Sequence, residues 1–176
     1  MPAHAAILSL GSNLGDRMQS LEQACKLIAS HPDIRITATS PIYETEPCGA
    51  PEAFAALHYL NMAVIVETSL PPFALSDVVH AIEQTMGRCR TACPNLPRNI
   101  DIDIICHSAI TLATPDLTLP HPRAHLRRFV LQPIADLLPG LILPGQTSTV
   151  TDLLRNLPET PRVVRMRNRV QNGLRQ

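Results

Sequence analysis

Asp101 and Asp103 stand in PRNIDIDII (Pro97–Ile105), otherwise one of the most apolar strand-like runs of the chain. Residues two apart on a strand share a face, with Cα atoms roughly 6.6 Å apart. The two carboxylates therefore project together, and Ile100, Ile102 and Ile104 take the opposite, core-facing side. Parallel carboxylates repel, and each has a raised pKa unless a cation sits beside them. A hard divalent ion resolves the repulsion, and Mg²⁺ characteristically takes one or two carboxylates and completes its shell with water and phosphate oxygens. The alternative is a solvated face of an antiparallel sheet that merely keeps an edge strand soluble. The flanking sequence favours the metal: Gln84 to Arg98 holds three arginines, Arg88, Arg90 and Arg98, and no acid. A cation site beside an acid-free arginine loop suits a polyphosphate substrate.

The surrounding pattern supplies the elements that must position these groups. AAILSLG (Ala5–Gly11) is an apolar run ended by glycine, and Asp16 to Ser30 carries apolar residues at helical spacing. RITATSPIYET (Arg35–Thr45) and YLNMAVIVET (Tyr59–Thr68) read as two strands. PPFALSDVVHAIEQTMG (Pro71–Gly87) has proline at its start and glycine at its end, the punctuation of a helix. IDIDIIC follows as a fourth strand. The order βαββαβ predicts an α+β, ferredoxin-like antiparallel sheet with its helices packed on it. A C-terminal helical extension is expected over Arg127–Leu138 and Val150–Leu157. One domain is expected over 1–158, followed by an arginine-rich tail, 159–176, read as a solvated or frayed end.

Composition narrows the function classes. Fifteen basic and 15 acidic residues balance, so the total charge points to neither a nucleic acid nor a membrane. All basic residues except Lys26 are arginines, which favours bidentate work on phosphate or carboxylate. Three Phe, two Tyr and no Trp leave too few aromatics for the RNA-stacking use of this fold. Five cysteines without a C-x-x-C pair indicate neither a disulfide framework nor a zinc knuckle, and a reducing cytoplasm is the expected setting. The start MPAHAAILSLGSN shows no charged leader, and no run approaches a membrane span, so a soluble, untargeted chain is expected. GSNLG (Gly11–Gly15) lacks the Lys-Ser/Thr of a Walker A loop and reads as a βα turn.

Six motifs in order carry a more specific signal: LSLGSNLGDR (Leu8–Arg17), SPIYETEP (Ser40–Pro47), YLNMAV (Tyr59–Val64), IEQTMGRCR (Ile82–Arg90), PRNIDIDII and LPHPRAHLRRFVLQPI (Leu119–Ile134). Together they resemble the 6-hydroxymethyl-7,8-dihydropterin pyrophosphokinase family of folate biosynthesis. The resemblance implies transfer of pyrophosphate from ATP to the hydroxymethyl oxygen of the pterin, with release of AMP. It implies that Asp101 and Asp103 hold two Mg²⁺ ions and that Arg88 and Arg98 act on the phosphates, with Arg90 as a further contact. His121 and Arg127 resemble residues that contact the nucleotide, and Glu83 is expected to orient Arg88 or bind outer-shell water, a solvated helix position being the alternative. Tyr59 and Phe129 would sandwich the pterin ring, with Asn61, Thr45 and the backbone near Cys48 reading its polar edge. Read without the resemblance, Tyr59 and Phe129 are core aromatics.

Three positions depart from the family pattern: Leu96 replaces a small residue, Asn95 an aromatic and Glu46 a proline. The substrates implied are small molecules, with no nucleic-acid or membrane partner, and the expected assembly is a monomer with a weak dimer as alternative. Competing readings are a phosphotransferase acting on another alcohol, a non-catalytic pterin- or nucleotide-binding module, and a domain whose arginine tail binds nucleic acid.

Overall fold

The computed structural model describes residues 4–47, 51–88 and 96–166. Its elements run β1 (His4–Ser12), α1 (Arg17–Ala29), β2 (Ile34–Thr39), β3 (Tyr43–Thr45), β4 (Tyr59–Thr68), α2 (Pro72–Thr85), β5 (Asp101–His107), a small hairpin β6 (Leu112–Ala113) and β7 (Thr118–Leu119), α3 (Arg128–Leu137), α4 (Val150–Asn156) and β8 (Val163–Arg165). The main sheet has the order β5-β1-β4-β3-β8, with β2 also on β4, and every pairing in it is antiparallel. This is the α+β ferredoxin-like arrangement, with β2 and β3 sharing the place of its second strand.

Local chemistry sets the helix ends. Asp16 caps α1 by accepting from the Gln19 N–H at 3.0 Å, satisfying one of the donors that a helix start leaves open. Proline at the first position of α2 costs no helical hydrogen bond, and Gly87 follows its end at φ +83°. Period-two alternation then divides the sheet. Leu8, Leu10, Leu60, Met62, Val64, Ile102 and Ile104 face α1 and α2, where Leu21, Ile28, Leu75 and Val79 close the larger core. The opposite face carries Ile7, Ala63 and Ile105, which α3 and α4 cover with Val130, Leu131, Ile134 and Val150. That second cover stops short of the sheet's end, where Gly11, Asn61, Asp101 and Asp103 occupy the same face.

Two expectations change. Arg35–Thr45 is two strands: Pro41 has no N–H for a ladder, and the chain turns there. Ser40 bridges the break, its N–H donating to the Ala63 carbonyl and its hydroxyl accepting from the Ala63 N–H, both at 2.9 Å. The tail is also not simply a frayed end, because residues 163–165 form a strand on β3, in register Tyr43↔Arg165 to Thr45↔Val163. Cys48, Arg90, Asn95 and the tail beyond Met166 lie outside the described residues. No helix among the described residues is long and apolar enough to cross a membrane.

Candidate active site

Strand register assembles the site. Gly11 on β1 stands opposite Asp101 on one side and Asn61 on the other, and Asn61 stands opposite Tyr43. One step along, Ser9 faces Asp103. An open cleft of about 570 Å³ lies over these rows. Its acidic end is formed by Asp101 and Asp103, with Arg88, Arg98, His121 and Arg127 around them. Its other end is formed by Thr45, Tyr59, Asn61 and Phe129. The sheet thus brings into one cleft all the sequence-predicted site residues that are described, with the exception of Glu83.

At the acidic end the two aspartates differ. Arg88 donates to Asp101 Oδ1, and Arg98 Nη1 donates to Oδ2 at 3.1 Å, so Asp101 is flanked by two guanidiniums. Among the described residues Asp103 has longer contacts, 3.8 Å from His121 Nε2 and 3.9 Å from Arg127 Nη1. Its carboxyl is pushed up to about 6, first by loss of solvent and next by the negative charge of Asp101. The second carboxylate thus adds to the effect of burial, and Arg127, Arg88 and Arg98 offset only part of it. Among the described residues no cluster of three or more metal-ligating side chains occurs. Two carboxylates open to a cleft therefore suit an ion such as Mg²⁺, which draws its other ligands from water and phosphate, better than an all-protein cage.

His121 is held in a defined tautomer. Its Nδ1 accepts the Arg123 N–H at 3.1 Å, which places the proton of the neutral ring on Nε2, facing Asp103 and the cleft. Burial, reinforced by the charges of Arg127 and Arg123, lowers its pKa to about 4, so near neutral pH the ring is an uncharged N–H donor. Arg98 is pinned through its backbone: its N–H donates to Asn13 Oδ1 at 2.8 Å, and its carbonyl accepts from the Asn13 N–H at 3.2 Å. The Leu96 carbonyl accepts from Arg98 Nε at 3.2 Å.

Glu83 corrects the sequence reading. It is buried, which removes the solvated alternative, and it stands behind the cleft instead of lining it. One carboxylate oxygen accepts from Arg88 and from the Ile102 N–H, the latter at 2.7 Å. It therefore covers a donor on the edge strand β5 and holds Arg88 against Asp101, acting on the site through Arg88. Glu83→Ala is expected to lower stability by about 2–4 kcal/mol, since it strands a buried N–H and a largely buried guanidinium. A urea unfolding midpoint equal to that of the parent chain would contradict this.

At the other end the Asn61 amide donates to Thr45 Oγ1 at 2.6 Å, and both residues are buried, so a polar pair sits on an otherwise apolar floor. Phe129 lies 5.5 Å beneath the Arg127 guanidinium, a cation-π contact that links the two ends. Sequence reasoning passed over Gly11 as part of a turn, yet it lines the cleft. A Cβ there would stand 2.8 Å from Asn61 Oδ1. A glycine inside a strand pattern, the signal of close approach, is what could have found it. Gly11→Ala is expected to displace the Asn61 amide and weaken its bond to Thr45, lowering stability by about 1 kcal/mol, the scale of one lost buried hydrogen bond. A urea unfolding midpoint equal to that of the parent chain would contradict the close fit. Arg123 and Ser9 also line the cleft and carried no sequence signal that separated them from their neighbours.

Comparison with known proteins gives a consistent result. The family model for 7,8-dihydro-6-hydroxymethylpterin-pyrophosphokinase (HPPK) matches residues 7–139, a span that contains both ends of the cleft. The chain is 41% identical over 132 residues to the 2-amino-4-hydroxy-6-hydroxymethyldihydropteridine pyrophosphokinase of Bacillus subtilis, covering 75% of this chain and 77% of the relative. It is 38% identical over 142 residues to the protein of the same name from Methylorubrum extorquens, covering 81% of this chain and 87% of the relative. A solved HPPK-DHPS chain from Plasmodium falciparum superimposes with a TM-score of 0.69 at 17% identity, over 87% of this chain and 45% of that one. This last likeness concerns the fold, and the chain spans less than half of that longer protein.

Proposed function

The chain belongs to the 7,8-dihydro-6-hydroxymethylpterin-pyrophosphokinase family, and from that premise we propose how its cleft divides the work of the reaction. The reaction transfers pyrophosphate from ATP to the hydroxymethyl group of 6-hydroxymethyl-7,8-dihydropterin and belongs to folate biosynthesis. The pterin hydroxyl oxygen bonds to the β-phosphorus, the bond from that phosphorus to the α,β-bridging oxygen breaks, AMP leaves, and the hydroxyl proton is lost.

The observation that carries the residue assignment is the raised Asp103 carboxyl beside Asp101, at the floor of a cleft whose opposite end holds the buried Asn61–Thr45 pair. Asp101 and Asp103 would hold two Mg²⁺ ions, which would neutralise phosphate charge and lower the pKa of the attacking hydroxyl. Arg88 and Arg98 exchange Asp101 for phosphate oxygens when the nucleotide enters, and Arg90 joins them. Both arginines already lie beside the acidic floor, so the exchange needs only side-chain motion. His121 Nε2–H and Arg127 donate to the nucleotide phosphates from the far wall, and Glu83 keeps Arg88 in place. Such donors aimed at developing charge are the main means of accelerating phosphoryl transfer.

Tyr59 and Phe129 enclose the pterin ring, Asn61 and Thr45 meet its polar edge, and the backbone near Cys48 completes the set. The assembly this reading takes is a monomer, with a weak dimer as the alternative. The free thiols of Cys25 and Cys106 support a reducing, cytoplasmic setting. The test is binding of α,β-methylene-ATP by calorimetry with and without Mg²⁺, in the parent chain and in Asp101→Ala. Metal-dependent binding in the parent, lost in the variant, is expected; metal-independent binding in both would overturn the assignment.

A further inference from the structure

Arg128 opens α3 between Arg127 and Phe129, two residues that line the cleft, yet its own guanidinium turns the other way. It donates to three carbonyls at the end of α4 and just beyond: Leu154 at 3.1 Å, Leu157 at 2.8 Å and Pro158 at 2.9 Å. A cation on the carbonyls of a helix C-terminus is favourable in itself. Three such bonds from one side chain also fix where the chain leaves α4.

That departure begins a strap. Leu157, Pro158, Thr160 and Pro161 pack against Leu126 and Phe129 around a crevice of only about 50 Å³. The chain then runs as β8 along β3. Beside that pairing, the Glu46 N–H donates to the Arg162 carbonyl at 3.2 Å, and the Arg162 N–H donates to Glu46 Oε2 at 3.0 Å. Beyond it, the Met166 N–H donates to the Ile42 carbonyl at 2.8 Å. β3 is only three residues long, and without β8 it would be an edge strand held by β4 alone. Its last residue is Thr45, the partner of Asn61.

We propose that Arg128 is a positioning residue for the pterin end of the cleft. By clamping the start of the 157–166 strap it holds β8 on β3, and thereby keeps Thr45 within hydrogen-bond reach of Asn61 and Phe129 against its wall. The inference rests on the reading of Thr45, Tyr59, Asn61 and Phe129 as the pterin pocket, and it adds a control over that pocket from outside it. The acidic end, built on β1 and β5, does not touch the strap through these bonds.

The test compares steady-state KM for the pterin and for ATP, with kcat, in full-length Arg128→Ala, Arg128→Lys, Glu46→Ala and Thr45→Ala. Arg128→Ala is expected to raise pterin KM about five- to tenfold while ATP KM stays within about twofold, the scale of one or two weakened hydrogen bonds. Arg128→Lys recovers part of the loss, since an ammonium reaches fewer of the three carbonyls than the guanidinium fork. Glu46→Ala, at the strap's other end, gives the same selectivity with a smaller rise of about two- to fourfold. An unchanged pterin KM in folded Arg128→Ala, or an equal rise in both KM values, would overturn the proposal. If Arg128→Ala fails to fold, Arg128→Lys decides: a rise in pterin KM alone supports the strap, and no rise overturns it. Thr45→Ala separates the two levels. If it leaves pterin KM unchanged, the pocket reading is at fault; if it raises pterin KM and the strap variants do not, only the strap inference falls.

Discussion

Asp103→Ala is expected to reduce turnover by about a thousandfold or more, the scale of losing charge stabilisation where phosphoryl transfer depends on it. The fold should survive, because the side chain projects from the sheet into an open cleft, with 38% of its surface exposed, and its contacts to His121 and Arg127 are long. The isosteric Asp103→Asn sharpens this into a pH effect. The Asp103 carboxyl titrates near 6 in the folded chain against an ordinary value of 3.8, so the folded state binds the proton more tightly than the unfolded state. Stability attributable to this group therefore falls as pH rises from about 4 through about 6 and is lowest above that range. In metal-free protein, Asp103→Asn should melt at or above the parent temperature at pH 7.5, with the gap closing as pH falls toward 4. A large loss of melting temperature at pH 7.5, or turnover near the parent rate in Asp103→Ala, would remove Asp103 from the metal site.

Arg98→Ala is expected to lower kcat about 10²- to 10³-fold with a smaller change in ATP KM, the pattern of a donor whose interaction grows in the transition state. Its backbone is held by Asn13 independently of the side chain, so truncation should leave the strand entry intact. The second effect is on Asp101, which would lose one of its two guanidinium neighbours. Equal losses in kcat/KM and in ATP affinity, with kcat unchanged, would instead mean ordinary ground-state binding.

The central site was legible because a strand's period of two sorts its residues by face. Ile100, Ile102 and Ile104 could only be core, which forced Asp101 and Asp103 to the other side, and the register then set Gly11 and Ser9 beside them. The helices were legible from Asp16, Pro72 and Gly87, whose local chemistry ends a helix whatever packs on it. What sequence could not show depended on distant neighbours. Glu83 reads as a polar helix position, and only the exposed ladder edge of β5 gives it a reason to be buried. β8 is three residues, Val163–Arg165, inside an arginine-rich run, too short for alternation to register; its hydrogen bonds come from β3, more than a hundred residues earlier. Tyr43 likewise looks like a core aromatic, and its hydroxyl reaches Asp136 of α3 at 2.6 Å only once the helix lies across the sheet.

The departures from the family pattern bear on the cleft unevenly. Glu46 lines the cleft and brings a carboxylate to the pocket mouth, one oxygen of which is held in place by the Arg162 N–H. Leu96 contributes through its carbonyl, which accepts from Arg98, a contact that does not depend on the size of its side chain.

The most direct measurement is the product pair formed from ATP, Mg²⁺ and 6-hydroxymethyl-7,8-dihydropterin, resolved by chromatography for the parent chain, for a chelator-treated sample and for Asp103→Ala. The account predicts AMP and pterin diphosphate in equal amounts in the parent, and neither product in the other two. ADP with a pterin monophosphate, or AMP formation undiminished by chelation and by loss of Asp103, would contradict it.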